Sequence, residues 1–336
     1  MKAWQLQAFG RENLALNDIP EPTPGPGEAL VRISSVSLNY RDKLLYDGNY
    51  NPHLEFPITQ VADAVGEVVA LGPNTTRFKV GDRVVTNYCT RWIDGQPTGK
   101  ETLYSLGNVI PGALAEYLVL TENALALAPA YLTSDEAAAL PCAALTAWYA
   151  LIEKGGLAAG QTVLIQGTGG VSLFGLQIAS ALGATVIVTS SSDEKLARAK
   201  ALGATHTINY TRTPDWEKEV LALTNDQGVD HILEVVGGSN LVRSIKAIKP
   251  QGQITLIGII EGFDATIPLF NIMQKHAVIR GIIVGPRRAL EDMLRKFDEI
   301  KLHPVIDTVY PFADARKAFD HLERGAFGKI VIRVRD

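Results

Sequence analysis

The run Gln166-Gly167-Thr168-Gly169-Gly170-Val171-Ser172 carries the clearest chemistry in this chain. Gly167 permits a tight turn, and Gly169 and Gly170 let backbone N–H groups approach a pyrophosphate at the positive end of the helix that follows. The expected guest is a dinucleotide. Ser172 replaces the third glycine of the usual fingerprint; it is small but outside the Gly/Ala pattern, which implies a slightly wider approach of helix to sheet. Glycine turns also occur simply to join a strand to a helix, so the signal rests on its strand-turn-helix setting. The choice between dinucleotides falls at the tip of the second strand, in Val188-Thr-Ser-Ser-Ser-Asp-Glu-Lys195. There the place of the usual ribose-binding acid is taken by Ser190, which carries no charge to repel a 2′-phosphate. Lys195 can pair with that phosphate, and the hydroxyl of Tyr210 can reach the same pocket. With Ser191 beside them, these residues point to NADPH rather than NADH. Two readings without a phosphate stay open: Ser191-x-x-Glu194 is a capping box that needs no ligand, and Asp193 can turn to the ribose. Cys89 and Cys142 are the only cysteines and lie far apart, and the six histidines show no ligand spacing. Neither a disulfide framework nor a cysteine-rich zinc site can be built from them. Cys142 reads as a buried small hydrophobe.

The elements that must hold these residues alternate. After Gly160 come apolar runs of strand length, Thr162–Gln166, Ala184–Thr189, Val229–Val236 and Gln253–Gly258. Between the first two, Val171, Phe174, Ile178 and Leu182 fall at helical spacing, and Gly183 supplies a left-handed cap. Strands alternating with helices and buried on both faces imply an α/β domain with a doubly wound parallel sheet, over residues 128–286. A helical pattern is expected from Ser134 to Leu151. Residues 1–127 are rich in turn residues and short apolar runs, such as Ala29–Ile33, Val65–Ala70 and Asp82–Thr86, and read as a β-rich domain. The tail, 287–336, mixes helices near 290–300 and 313–324 with strands near 305–309 and 329–334. Its pattern alone does not assign it to either domain.

At 336 residues the chain has room for about two domains of roughly 100–200 residues each. A net charge of −4 with scattered basic residues leaves no electrostatic footprint for nucleic acid or an anionic membrane. No apolar stretch approaches a membrane span, and the amino terminus lacks signal-peptide order, so a soluble cytoplasmic protein acting on a small molecule is expected.

The chain resembles the medium-chain dehydrogenase/reductase superfamily over almost its whole length. The resemblance rests on Gly66–Gly72 leading to Arg77–Val84, on Gly112–Tyr117, and on the closing Phe327–Ile332. It implies a GroES-like β fold for the first domain, a Rossmann nucleotide domain, and a tail that returns to the first. In the zinc enzymes of that family the first cysteine ligand would fall at Asn39, and the Gly-His-Glu motif becomes Val61-Ala62-Asp63, which leaves Cys142 alone. The resemblance is therefore to the zinc-free quinone oxidoreductase and zeta-crystallin branch, with no metal. It places Thr146 and the backbone of Ile257 and Gly258 near the nicotinamide, Gly170 and Val171 at the pyrophosphate, and Ser190, Lys195 and Tyr210 at the 2′-phosphate. It also implies a homodimer through the strand at 277–284, and a bare apolar edge strand is physically hazardous without one.

Without a metal Lewis acid, alcohol oxidation lacks the group that would stabilise an alkoxide. Hydride transfer to a quinone or an α,β-unsaturated carbonyl is easier, because conjugation spreads the incoming charge. The candidates for this chemistry are Asn39, as a donor to the acceptor oxygen or the nicotinamide ribose, and Tyr40 or Tyr46 as proton donor. Solvent is an alternative proton source. An alcohol dehydrogenase-like enzyme and a non-enzymatic NADPH-binding protein remain as rival readings.

Overall fold

The computed structural model describes residues 1–335 and divides into two compact units, Met1–Leu145 with the tail from Val284, and Thr146–Ile283. In the first unit the spine is the long strand Glu28–Ser37. Along one edge it pairs antiparallel with Asp63–Leu71; the other edge is shared by Tyr117–Thr121 and the closing strand Lys329–Arg333. The sheet runs on through Arg83–Thr86 and Leu125–Leu127 at one end and Ile306–Pro311 at the other. A smaller sheet joins Leu14–Asp18, Lys2–Leu6 and Ile58–Thr59. Ile33, Val36, Ala64, Val65, Val85 and Ile332 are fully buried, and consecutive Ala64 and Val65 show that both faces of the sheet are covered there. The tail therefore belongs to the β unit by strand pairing, with Ile332 opposite Val36.

The expected helix from Ser134 to Leu151 is broken. Thr133 caps a short helix, Ser134–Ala138, and wide π turns follow at Leu140–Ala144 and Tyr149–Glu153 around the helical Leu145–Trp148. Pro141 has no N–H to give to an α-helical ladder, which accounts for the first irregularity. Residues 128–145 also belong to the first unit. Asp135 is the physical reason, since it accepts from Ser35 Oγ at 2.6 Å and pairs with Arg333.

The second unit is a six-stranded parallel sheet in the order His206–Asn209, Thr185–Ser190, Thr162–Gln166, Val229–Glu234, Ile248–Leu256, Val278–Gly281. The strand direction of travel reverses beside Thr162–Gln166, so a crevice opens beyond the carboxyl ends of the two central strands. Helices Gly170–Ala181, Asp193–Ala201, Trp216–Leu223 and Asn240–Ala247 supply the crossovers. Leu164, Ile187, Ile232, Ile245 and Ile254 form part of the buried core on one face. Among the described residues no helix is long and apolar enough to cross a membrane.

Candidate active site

The glycine turn sits where the sequence places it, between Thr162–Gln166 and the helix Gly170–Ala181. Gly167 has φ +71°, a conformation open mainly to glycine, and its N–H bonds Thr189 O at 2.8 Å. Gly169 is different: its backbone is extended, and a Cβ built on it would meet nothing within 4 Å. Neither strain nor the protein's own packing demands glycine there. Space left beside the uncapped amino end of a helix suits a pyrophosphate, so the turn fits the cofactor. Ser172 does not loosen the turn as its size suggests; its hydroxyl donates to Gln166 O at 2.7 Å and ties helix to strand. Close helix-to-sheet contact falls one turn later, at Gly175, where a Cβ would come within 2.5 Å of Leu233 Cδ1. Its place in the helical repeat, three residues after Ser172, is the only sequence signal for that role.

Ser190 ends the second strand, buried, and Tyr210 N–H bonds its carbonyl at 3.1 Å, so the fold brings these two together. The Ser191-x-x-Glu194 box does not form. Ser192 is the last extended residue and the cap, accepting from Lys195 N–H at 3.3 Å, which leaves Ser191 exposed outside the helix. Asp193 is held by Asn209 Nδ2 at 2.7 Å and by Arg212, a cation the sequence reading missed because it lies two residues past Tyr210 with no motif around it.

Thr146 is buried in the irregular helical segment. The N–H groups of Ile257 and Gly258 bond Glu234 O at 2.8 and 3.1 Å, just past the end of their strand. Glu234, also missed, is fully buried at the end of the fourth strand. Its carboxylate accepts from the N–H groups of Val236 and Gly237, both at 3.0 Å, and from Asn240 Nδ2, Gln166 Nε2 and Ser244 Oγ. One buried carboxylate thus ties together the ends of the two central strands and the loop that follows.

The first unit holds a second buried polar cluster. Asn39 opens the helix Tyr40–Tyr46 in extended conformation, and its N–H bonds Asp42 Oδ2 at 2.8 Å. Asp42 also takes Arg41 at 2.9 Å, while Arg41 Nε donates to Tyr88 Oη at 2.9 Å. Burial pushes the Tyr88 hydroxyl well above its ordinary range, with Arg41 opposing, so it stays protonated. On the other side of Asn39 lies Lys329, buried at 3% exposure. Its ammonium donates to Leu38 O at 2.7 Å and Asn39 Oδ1 at 2.6 Å, and lies 3.5 Å from Asp63 Oδ2. Burial raises the Asp63 carboxyl, with Lys329 and the Asn39 side chain opposing. Asn39 Nδ2 and Asp63 Oδ1 are buried without a hydrogen-bond partner. Burial, with Asp63 adding to it, also raises the Cys142 thiol, so it is neither a ready nucleophile nor a ready ligand.

Of the two tyrosines, Tyr40 is 39% exposed at the first helical turn. Tyr46 does not keep its expected role: its hydroxyl donates to Glu323 at 2.8 Å and its ring stacks edge-on against Phe319. Burial and the Glu323 bond raise it above the ordinary phenol range, which makes it a poor acid.

Residues 25–130 match the family model "Alcohol dehydrogenase GroES-like domain" and residues 170–299 match "Zinc-binding dehydrogenase". A zinc-type alcohol dehydrogenase-like protein of Schizosaccharomyces pombe is 41% identical over 92% of this chain and 91% of its own length. The chain belongs to the medium-chain dehydrogenase/reductase superfamily. It is accordingly a nicotinamide-dependent oxidoreductase. Among solved structures in the superfamily, a putative alcohol dehydrogenase from Sinorhizobium meliloti 1021 superimposes with a TM-score of 0.94 at 48% identity, covering 99% and 98% of the two chains. A quinone oxidoreductase from Pseudomonas syringae pv. Tomato DC3000 does so with 0.84 at 30% identity, covering 99% of each.

The second family model's description raises the question of zinc. A catalytic zinc wants three protein ligands and an open position. Asn39 and Ala62 stand at two of the ligand positions that the resemblance implies, and among the described residues no group of three His, Cys, Asp or Glu could hold a metal ion. The Lys329 ammonium lies against Asn39 and Asp63 instead, and a buried cation repels a second one. This dehydrogenase/reductase's residues do not fit a catalytic zinc.

Proposed function

We propose that this protein is a zinc-independent, NADPH-dependent reductase that passes hydride to a quinone or an α,β-unsaturated carbonyl. The observation that carries the reading is the buried Lys329–Asn39–Asp63 cluster, a fixed cation and an amide where a metal enzyme needs ligands. Such a site has no Lewis acid for an alkoxide, whereas a conjugated acceptor spreads the charge itself. NADPH supplies the hydride when bound. The protein's part is to hold and orient: the Gly167–Val171 turn receives the pyrophosphate, and Ser190, Ser191, Lys195 and Tyr210 receive the 2′-phosphate. Thr146 and the backbone at Ile257 and Gly258 orient the nicotinamide. Asn39 Nδ2, buried and unpartnered, donates to the acceptor oxygen. Solvent, or Tyr40, supplies the proton. The free Cys89 and Cys142 suit a reducing cytoplasm.

A homodimer goes with this reading. Val278–Gly281 is an edge strand, and near it in sequence Phe263, Leu269, Phe270 and Met273 are each more than 60% exposed. A second copy pairing along that edge would cover both the strand and apolar side chains.

The test is a screen of quinones, enones and aldehydes with NADPH and NADH, together with alcohols plus NADP and metal analysis. Turnover of conjugated acceptors with sub-stoichiometric zinc supports the proposal. The names of the relatives favour a second reading, and alcohol oxidation dependent on bound zinc would put it in place of the first. Tight NADPH binding with no turnover of any acceptor would indicate a binding protein. In a tryptophan-fluorescence titration, NADH affinity equal to or above that of NADPH would reject the 2′-phosphate pocket.

A further inference from the structure

The acceptor-oxygen contact proposed above depends on which way the Asn39 amide faces, and its neighbours leave little choice. An ammonium has only hydrogens to give, and that of Lys329 has three. They are directed to Leu38 O at 2.7 Å, Asn39 Oδ1 at 2.6 Å and Asp63 Oδ2 at 3.5 Å. Lys329 therefore has no donor left for a substrate. The other two groups around the amide, the Leu38 carbonyl and the Asp63 carboxylate, are acceptors. Of these three only Lys329 has a hydrogen to give to Asn39 Oδ1, at 2.6 Å, and the Asp42 N–H of the capping box approaches the same side chain from the helix. Remove Lys329, and Oδ1 loses its charged donor, so the amide is no longer held in one orientation toward the substrate oxygen.

We propose that Lys329 is a positioning residue whose ammonium locks the Asn39 amide so that Nδ2, buried and without a partner, presents its N–H to the oxygen of a carbonyl acceptor. This inference rests on the reductase reading above. Lys329 does not touch the acceptor; it acts through Asn39. Asp63 completes the arrangement, because an uncompensated buried ammonium would lose its proton or its place.

The experiment is a double-mutant cycle, Lys329→Met, Asn39→Ala and the pair, read as kcat and KM with the best acceptor from the screen. A single donor to a developing oxyanion is worth about 10²–10³-fold in kcat. The expected result is that Asn39→Ala lowers kcat by roughly that factor, with KM for NADPH unchanged. Lys329→Met alone should lower it roughly 10-fold or more, and should cost nothing further once Asn39 is gone. Losses that multiply, or a wild-type kcat in Lys329→Met, would overturn the proposal. Should Lys329→Met fail to fold, Asn39→Asp serves: it keeps the contact with Lys329 but has no N–H to give. It should lose roughly 10²-fold in kcat at a temperature where calorimetry shows it folded, and full activity in it would refute the donor role.

A second readout needs no turnover, so it still decides the matter if the screen finds no acceptor and the reductase reading fails. In asparagine-labelled protein, the side-chain NH₂ pair of Asn39, assigned by its disappearance in Asn39→Asp, should shift and change its solvent exchange in Lys329→Met. An unmoved pair would show that the lysine does not hold the amide.

Discussion

Replacing Glu234 by glutamine keeps the size of the side chain and removes its charge, and the structure allows the cost to be worked out. The amide oxygen of glutamine can still accept from Val236 and Gly237, which now approach one carboxylate oxygen at 3.0 Å. Its NH₂ group must then face Gln166 Nε2, which donates to the other oxygen at 3.0 Å, so two donors oppose each other in a fully buried site. Ser244 can reverse its hydroxyl and accept; Gln166 can turn only by giving up the bond from Val235 N–H to its Oε1. At least one buried donor is left unpaired, which costs about 1–3 kcal/mol, and the surviving bonds lose their charge assistance, for a total of roughly 2–4 kcal/mol. At about 2–4 °C per kcal/mol, the transition of the nucleotide unit should fall by roughly 5–15 °C. The assay is differential scanning calorimetry with and without NADPH. The two units can melt separately, so the transition to follow is the one that the cofactor raises. Weaker NADPH binding should accompany the shift, because the same carboxylate holds the loop after the fourth strand. A mutant melting within about 1 °C of the wild type, with unchanged affinity, would refute the account.

Three further outcomes are expected. His231 is buried and its pKa is lowered from 6.5 by burial, so below that value the unfolded chain binds a proton that the folded ring resists. Stability should fall as pH drops from 6.5 toward the depressed folded value, and His231→Gln should flatten that limb of the Tm profile; an unaltered slope would count against it. Burial pushes the Cys89 thiol up to about 12 and raises Cys142 as well. Both should react slowly with a disulfide reagent at about pH 8 and rapidly once the chain is unfolded, and a fast stoichiometric reaction of the native protein would contradict the raised thiols. The paired change Phe270→Asp and Met273→Lys should give a monomer by light scattering, with the fold retained; an unchanged dimer would move the interface elsewhere.

Periodicity and glycine placement made the nucleotide sheet legible in the sequence, because each strand and helix there is fixed by its own apolar repeat and the turn by residues adjacent in the chain. The glycine turn, Ser190 and Tyr210 at the ends of neighbouring strands, and Lys195 in the first turn of the helix between those strands belong to that local information. The cap after the second strand was misplaced by one residue, since Ser191 and Ser192 are the same chemically and only backbone angles separate them. Pro141 foretells a disturbance but not the π turns, and nothing local tells residues 128–145 that Asp135 will meet Ser35 and Arg333. Asn39 could be singled out as a candidate from its type and place. That its amide is held by Lys329, 290 residues further on, depends on the closing strand pairing with Glu28–Ser37. Glu234 reads in sequence as the polar end of an apolar run, and only the adjacency of the first and fourth strands surrounds its carboxylate with donors. The sequence determined the elements and the glycine turn between strand and helix, because those follow from near neighbours. Tertiary structure decided which charges are buried together, because a buried ion is defined by partners that the chain brings in from far away.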